Sequence, residues 1–465
     1  MTKHSHPLSR TAAALAVCGL VAVWPASWRP GSIVGDAVHA QPQQQRTEVD
    51  LVITGDSGTP PRYAVPDFVA LTPDAAEAAR TLGQVLWDDL NFEREFYLIP
   101  RDTYRTIPPA SSIDHVPLDQ WKQLGADGLI VGTVRKTPTG AAVQVRLIEV
   151  TSGQTAFGKE YSGTLKNPRL YAHTASDEIH LQQRSLKGVA RTRLAFASDR
   201  DGERMKGPIV DRGISNIYMS DYDGANQQRV TITRSLDITP AWSPDARAIA
   251  YTSYRTGFQD IIVSYIYEGK YSNPTAGTSE RQNFLPAWSP DGSRLAFTSN
   301  RDGNSEIYVI NRDGSGLRRL TNHPSIDVTP TWSPTGKQIA FTSDRTGSPQ
   351  IWVMNDDGSE PRKITNESRC DRPTWSISPN NEIAYASQTG AGYDIRIYDV
   401  ATSESHTITD GIGSNESPAF SPNGRHIAFT STRAGKAQIF LIDRDGKNLQ
   451  QITRTGMNRY PNWSQ

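Results

Sequence analysis

The side chains able to do chemistry in this chain are scattered, not gathered. It has nine histidines and 49 Asp and Glu residues in 465 positions, enough for an acid–base or metal site if spacing brought them together. No Gly-x-Ser-x-Gly nucleophile elbow, His-Glu-x-x-His zinc pair or Gly-x-x-x-x-Gly-Lys-Ser/Thr phosphate loop occurs. His323, His406 and His426 fall at three different places of the repeat described below, so they are not expected to converge on a metal. Asp221-Tyr222-Asp223-Gly224, Asn311-Arg312-Asp313-Gly314, Asp356-Asp357-Gly358 and Asp443-Arg444-Asp445-Gly446 resemble fragments of a calcium loop. They lack the distal Glu and stand where hairpins must turn, which makes them turn chemistry. The residues therefore point to no catalysis, no metal and no cofactor.

Lys plus Arg equals Asp plus Glu at 49 each, so no basic excess exists for general nucleic-acid binding. At the amino end, Lys3, His4, His6 and Arg10 precede an uncharged run from Thr11 to Val23. That run is too short to span a bilayer but suits the core of an export signal. Val38-His39-Ala40 offers small residues to a signal peptidase, so residues 1–40 are expected to be removed and the protein exported. Loss of Cys18 leaves Cys370 alone, excluding an intramolecular disulfide. Its simplest role is that of a packed small apolar residue.

One unit recurs six times in the carboxyl-terminal part. Strands of the type Ile-Ala-Phe-Thr-Ser begin at Leu194, Ile249, Leu295, Ile339, Ile383 and Ile427, each followed by a second alternating strand. A shorter third strand ends near Leu-Thr or Ile-Thr, except in the second unit, where Tyr267 to Gln282 reads as irregular. Each unit closes on Pro-x-Trp or Pro-x-Phe, with anchors at Trp242, Trp288, Trp332, Trp375, Phe420 and Trp463, spaced 43–46 residues apart. This period, with about four strands, marks propeller blades. A tight Ser-Pro-Asp-Gly loop joins each anchor to the next strand, so the last anchor must complete the first blade and shut the ring.

Five positions before each anchor stand Asp237, Asn283, Asp327, Cys370, Asn415 and Asn458. Short polar side chains here either bond the backbone at the strand entrance or form a polar ring that engages a partner, and both can hold. Arg200, Arg255, Arg301, Arg345 and Arg433 follow the Ile-Ala-Phe strands and are expected to pair with acids between blades.

The domain plan is a flexible tail at 41–46, an α/β domain at 47–188 with a mixed sheet and helices, and a six-bladed all-β propeller at 189–465 closed by its last strand. In the α/β domain, strands are expected at Val49–Thr54, Tyr63–Ala70, Phe96–Ile99, Gly128–Arg135, Ala142–Val150 and Gln154–Tyr161. Ala78, Leu82, Val85, Leu86 and Leu90 give a core-facing helical stripe after Pro73. Further helices are expected over Leu118–Leu124 and from Pro168 to about Leu186. These residues leave two functional classes open, a binding protein and an exported hydrolase or lyase with the channel as its pocket.

Arg169-Leu170-Tyr171-Ala172-His173, Asp177-Glu178-Ile179 and Thr192-Arg193-Leu194-Ala195-Phe196 resemble the junction of last helix and first blade in the TolB family, periplasmic components of the Tol-Pal system of Gram-negative bacteria. Val65-Pro66-Asp67-Phe68 and Trp121 to Gly132 match its first domain, and the resemblance covers Thr47 to Gln465. It implies a monomeric, non-enzymatic periplasmic protein that holds the outer-membrane lipoprotein Pal on the propeller and offers an amino-terminal segment to the carboxyl-terminal domain of the inner-membrane protein TolA. Other outer-membrane proteins stay open as partners, and the implied role is in outer-membrane integrity and cell division. On this resemblance the Pal-contacting positions are Gln282, Leu285 and Val328, joined by Asp237, Asn283 and Asp327 of the polar ring read above, and the TolA segment contains Glu48, Val49, Asp50, Leu51, Val52 and Ile53. The segment's docking is expected to be coupled to Pal binding.

Overall fold

The computed structural model describes residues 60–204, 213–277, 281–377 and 380–465. The expected export signal, the polar tail, the strand at Val49–Thr54 and the segment Glu48–Ile53 lie outside the described residues.

The first domain is a mixed sheet with helices on it. Its strands are β1 (Arg62–Ala64), β2 (Val69–Ala70), β3 (Tyr97–Leu98), β4 (Gly128–Thr137), β5 (Gly140–Glu149) and β6 (Thr155–Gly163). They run in the order β3-β1-β4-β5-β6, with β2 also on β4; β1 is parallel to both neighbours, and β4, β5 and β6 are antiparallel. The single strand expected over Tyr63–Ala70 is two strands, because Pro66 has no N–H to give to a ladder. Helix α1 (Ala76–Glu93) buries the expected stripe of Ala78, Leu82, Val85, Leu86 and Leu90. Its Gly83 lets the helix cross the break closely, since a Cβ there would sit 2.9 Å from the Pro66 carbonyl oxygen. Helix α2 (Leu118–Gln123) stops before Gly125 at φ 80°, and α3 (Arg169–Arg184) packs on α1. Strand alternation divides the core: Ile130 faces α1 and α3, whereas Leu129 and Val131 face Trp121 of α2.

The second domain is a six-bladed propeller, each blade a four-stranded antiparallel sheet. Blades 2 to 6 begin with inner strands Asp237–Trp242, Asn283–Trp288, Asp327–Trp332, Cys370–Trp375 and Asn415–Phe420. Blade 1 takes its inner strand, Asn458–Trp463, from the end of the chain, paired antiparallel with Arg193–Ser198. The inner strands pack on one another around a central channel. One feature departs from the sequence reading. Blade 2 does have an outer strand, Lys270–Ser272, paired with Val263–Tyr265; its side chains are largely exposed, so no apolar pattern announced it. The outer strands elsewhere lie just before the Leu-Thr or Ile-Thr pairs, as at Arg318–Arg319 and Arg362–Lys363.

Candidate functional site at the propeller mouth

Asp237, Asn283, Asp327, Cys370, Asn415 and Asn458 open the six inner strands, all with no exposed surface. Each faces a Ser of the next strand, because the antiparallel register sets the pair opposite, as with Asp327 and Ser343. Asn283 accepts hydrogen bonds from Ser299 and Arg301, both at 2.8 Å. Arg200 donates to Asn458 at 2.8 Å and Arg433 to Asn415 at 3.3 Å, and Arg345 pairs with Asp327. Most of the recurring arginines therefore pair inside their own blades; Arg433 also pairs with Asp410, in the connection from blade 5 to blade 6, at 2.8 Å, as expected of an acid between blades. Arg255 instead bonds Ser253 and Tyr251. Each guanidinium is also seated on aromatic rings, Arg301 lying 4.9 Å from the Tyr308 centroid. Burial raises the carboxyls of Asp237 and Asp327 against the pull of their serine and arginine neighbours. In blade 5 the arginine position is Thr389, and there Cys370 replaces the acid. Burial pushes its thiol up to about 12.

Two residues further on, every inner strand bulges. The register shifts before each anchor pair, and Thr239, Leu285, Thr329, Arg372, Ser417 and Tyr460 adopt left-handed backbone with φ of 51–58°. Such φ values are unusual for threonine. The bulge turns these six side chains toward the channel, which they line with the Pro-x-aromatic anchors around a cavity of about 210 Å³. The freed N–H of three bulges is taken by a threonine of the preceding blade: Leu285 by Thr252 (3.0 Å), Thr329 by Thr298 (3.2 Å) and Tyr460 by Thr430 (3.1 Å). The Thr of the Ile-Ala-Phe-Thr-Ser strand is thus a blade-to-blade clasp.

Gln282, Leu285 and Val328 are half-buried: Gln282 precedes the buried Asn283, Val328 follows the buried Asp327, and Leu285 is the bulge residue lining the channel. The loops leading into the inner strands also expose Ile232 (84%), Ile326 (47%), Ile412 (56%) and Met457 (40%). Sequence reading missed them, although a bulky apolar residue in an otherwise polar loop is the signal. Among the described residues, no group of three His, Cys, Asp or Glu could hold a metal ion, and no helix is long and apolar enough to cross a membrane.

A second concentration of buried polar groups joins the domains at blades 1 and 6. Phe92, at the end of α1, packs on Tyr222 and His426 with ring centroids 4.9 and 4.2 Å away. Glu93 accepts from the Val189 N–H (2.9 Å) and faces His426 Nε2 at 3.3 Å, while His426 Nδ1 lies 2.8 Å from Asp443. Asp89 accepts from the Tyr222 hydroxyl (2.9 Å) and lies 2.8 Å from His173 Nδ1, with Asp221 at 3.7 Å from the other ring nitrogen. Burial alone would push both imidazoles down, but the carboxylates outweigh it; His426 is raised, and His173 stands at about 9. The turn acids Asp221 and Asp443 are turn residues, as read, but also dock Arg169 (3.4 Å) and Arg94 (2.7 Å).

Fold and mouth together define a six-bladed β-propeller protein carrying an amino-terminal α/β domain on its closing blade. Family models agree: the TolB beta propeller domain matches residues 183–465 and the TolB amino-terminal domain residues 49–156. The chain is 30% identical over 428 residues to the Tol-Pal system protein TolB of Bordetella pertussis, covering 91% of this chain and 92% of that protein. It is 35% identical over 262 residues to that of Desulfosudis oleivorans, covering 56% of this chain and 57% of the relative. The match to the Ruegeria protein, at 36% identity, likewise spans 63% of each. The crystal structure of TolB from Acinetobacter baumannii superposes with a TM-score of 0.73 at 25% identity, over 88% of this chain and 97% of that one. The chain belongs to the TolB family.

Proposed function

We propose that this chain is a non-enzymatic, periplasmic, protein-binding component of a Tol-Pal cell-envelope complex, linking the outer-membrane lipoprotein Pal to the inner-membrane protein TolA and supporting outer-membrane integrity and constriction during division. The relatives' shared name supports membership of the system. The observation that carries the reading is the mouth itself. Its recurring acids, amides and arginines are engaged within the blades, while a rim of half-buried and exposed apolar side chains stays open. Gln282, Leu285 and Val328 would touch Pal, with Asp237, Asn283 and Asp327 shaping the strand entrances from beneath. Glu48, Val49, Asp50, Leu51, Val52 and Ile53 would be read by the TolA carboxyl-terminal domain.

Calorimetry of the purified chain against the periplasmic domain of its cognate Pal tests this. A charge at the rim, Val328→Asp, is expected to weaken binding by at least about tenfold, and absence of binding by the wild-type chain sinks the reading. Removing residues 41–53 is expected to abolish TolA binding and to alter Pal affinity as well; an identical Pal affinity would reduce the segment to a passive tail.

A further inference from the structure

Among the described residues lining the channel, Arg372 is the sole side chain that carries a formal charge. The other walls are prolines, aromatics, small apolar groups and neutral polar ones. The bulge of blade 5, at φ 55°, sets Arg372 at the mouth, and its guanidinium lies 4.6 Å from the centroid of Tyr460 in blade 1. Asp371, beside it in the chain, is a loose ion-pair partner that leaves the guanidinium N–H groups unbonded. One Asp371 oxygen is held by the Arg372 backbone N–H at 2.7 Å and by Thr342 Oγ1 at 3.0 Å. The other is 3.9 Å from Arg372 Nε, beyond hydrogen-bond reach. Among the described residues, no hydrogen-bond acceptor engages the Arg372 guanidinium.

An arginine in this position presents an open planar fork of donors, backed by an aromatic ring. The fork fits a carboxylate with two parallel hydrogen bonds, which an ammonium cannot reproduce. A recess of about 210 Å³ admits a side chain, not a folded segment. We infer that the channel mouth takes an aspartate or glutamate side chain of the docked partner, its carboxylate paired with Arg372. This rests on the reading that Pal docks at the mouth.

The test is calorimetry of the full chain and the periplasmic domain of Pal at 50 and 300 mM NaCl, with wild type, Arg372→Gln and Arg372→Lys, all checked for an unchanged melting temperature. R372Q is expected to lose about thirtyfold in affinity with a weaker salt dependence, and R372K to recover only part. Equal affinity of R372Q and wild type overturns the inference while leaving the docking reading intact. No binding by wild type overturns the docking reading, and a measurement without Pal then decides the inference. In that measurement the guanidinium NMR resonances of Arg372, assigned by their loss in R372Q, are titrated with sodium glutarate and with sodium chloride. A saturating shift with glutarate alone supports a carboxylate site; matching responses to the two salts overturn it.

Discussion

Thr321 explains the threonine of the recurring Leu-Thr and Ile-Thr pairs. Its Oγ1 accepts the backbone N–H of Ile307 at 2.9 Å, a strand-end group buried in the blade. The same bond joins Thr231 to Ile217, Thr365 to Ile351, Thr409 to Ile395 and Thr453 to Ile439. In the second unit Thr275 does so for Ile261, which places the seemingly irregular stretch in the common plan. Thr321→Val keeps the shape but leaves a buried donor unmet, so urea unfolding should show a loss of about 1–3 kcal/mol. Thr321→Ser should retain most of the stability; a Thr321→Val variant as stable as wild type beside a destabilised Thr321→Ser would show that the methyl packing matters and not the bond. At this scale the repeated residue types were legible, and their partners were not. Asp327 and Arg345 recur visibly in sequence, but only the register that sets Asp327 opposite Ser343 decides that they meet within one blade.

Between the domains, the end of α1 and the turns of blades 1 and 6 enclose two imidazoles among carboxylates. This junction was invisible in sequence because its partners are remote: Glu93 and His426 are 333 positions apart. The stripe of α1 was legible by its spacing, yet Phe92 and Glu93 lie beyond that stripe and serve a different neighbour. The junction predicts a pH dependence. His173 is held at about 9, above its ordinary 6.5, so its contribution is fully present below 6.5 and is lost as pH rises through 9. Burial raises the Asp89 carboxyl to about 6 against the pull of His173 and Tyr222. A raised carboxyl binds its proton more tightly when folded, so it too makes stability fall with rising pH, between about 4 and 6. Wild type should therefore lose up to the order of 3 kcal/mol through His173 between pH 6.5 and 9.5. His173→Gln, starting less stable, should show a flatter profile over that window; parallel profiles by differential scanning calorimetry would remove His173 from the pH response.

For the molecule as a whole, ring closure and domain docking meet at one place. The anchor rhythm of 43–46 residues made the strand exchange legible in advance, but nothing in that rhythm says where the first domain sits. It sits on the seam: Trp463 Nε1 donates to Thr192 at 2.6 Å, Ser464 Oγ accepts the Arg193 N–H at 2.8 Å, and Phe92, His426 and Trp463 form a series of rings from α1 through blade 6 to the last strand. Phe92 and Trp463 share one buried cluster with Leu194, Tyr218 and Ile439. Removing Tyr460 to Gln465 should therefore lower the melting temperature of the entire ring, since it exposes the edge of the Arg193–Ser198 strand and takes Trp463 out of that cluster. Phe92→Ala and Trp463→Ala should each cost about 3–5 kcal/mol. Because both empty the same cluster, the double variant should depart from the sum by about 0.5–3 kcal/mol. Strict additivity in that cycle would mean that the domain merely rests on the propeller, and that the seam closes without its help.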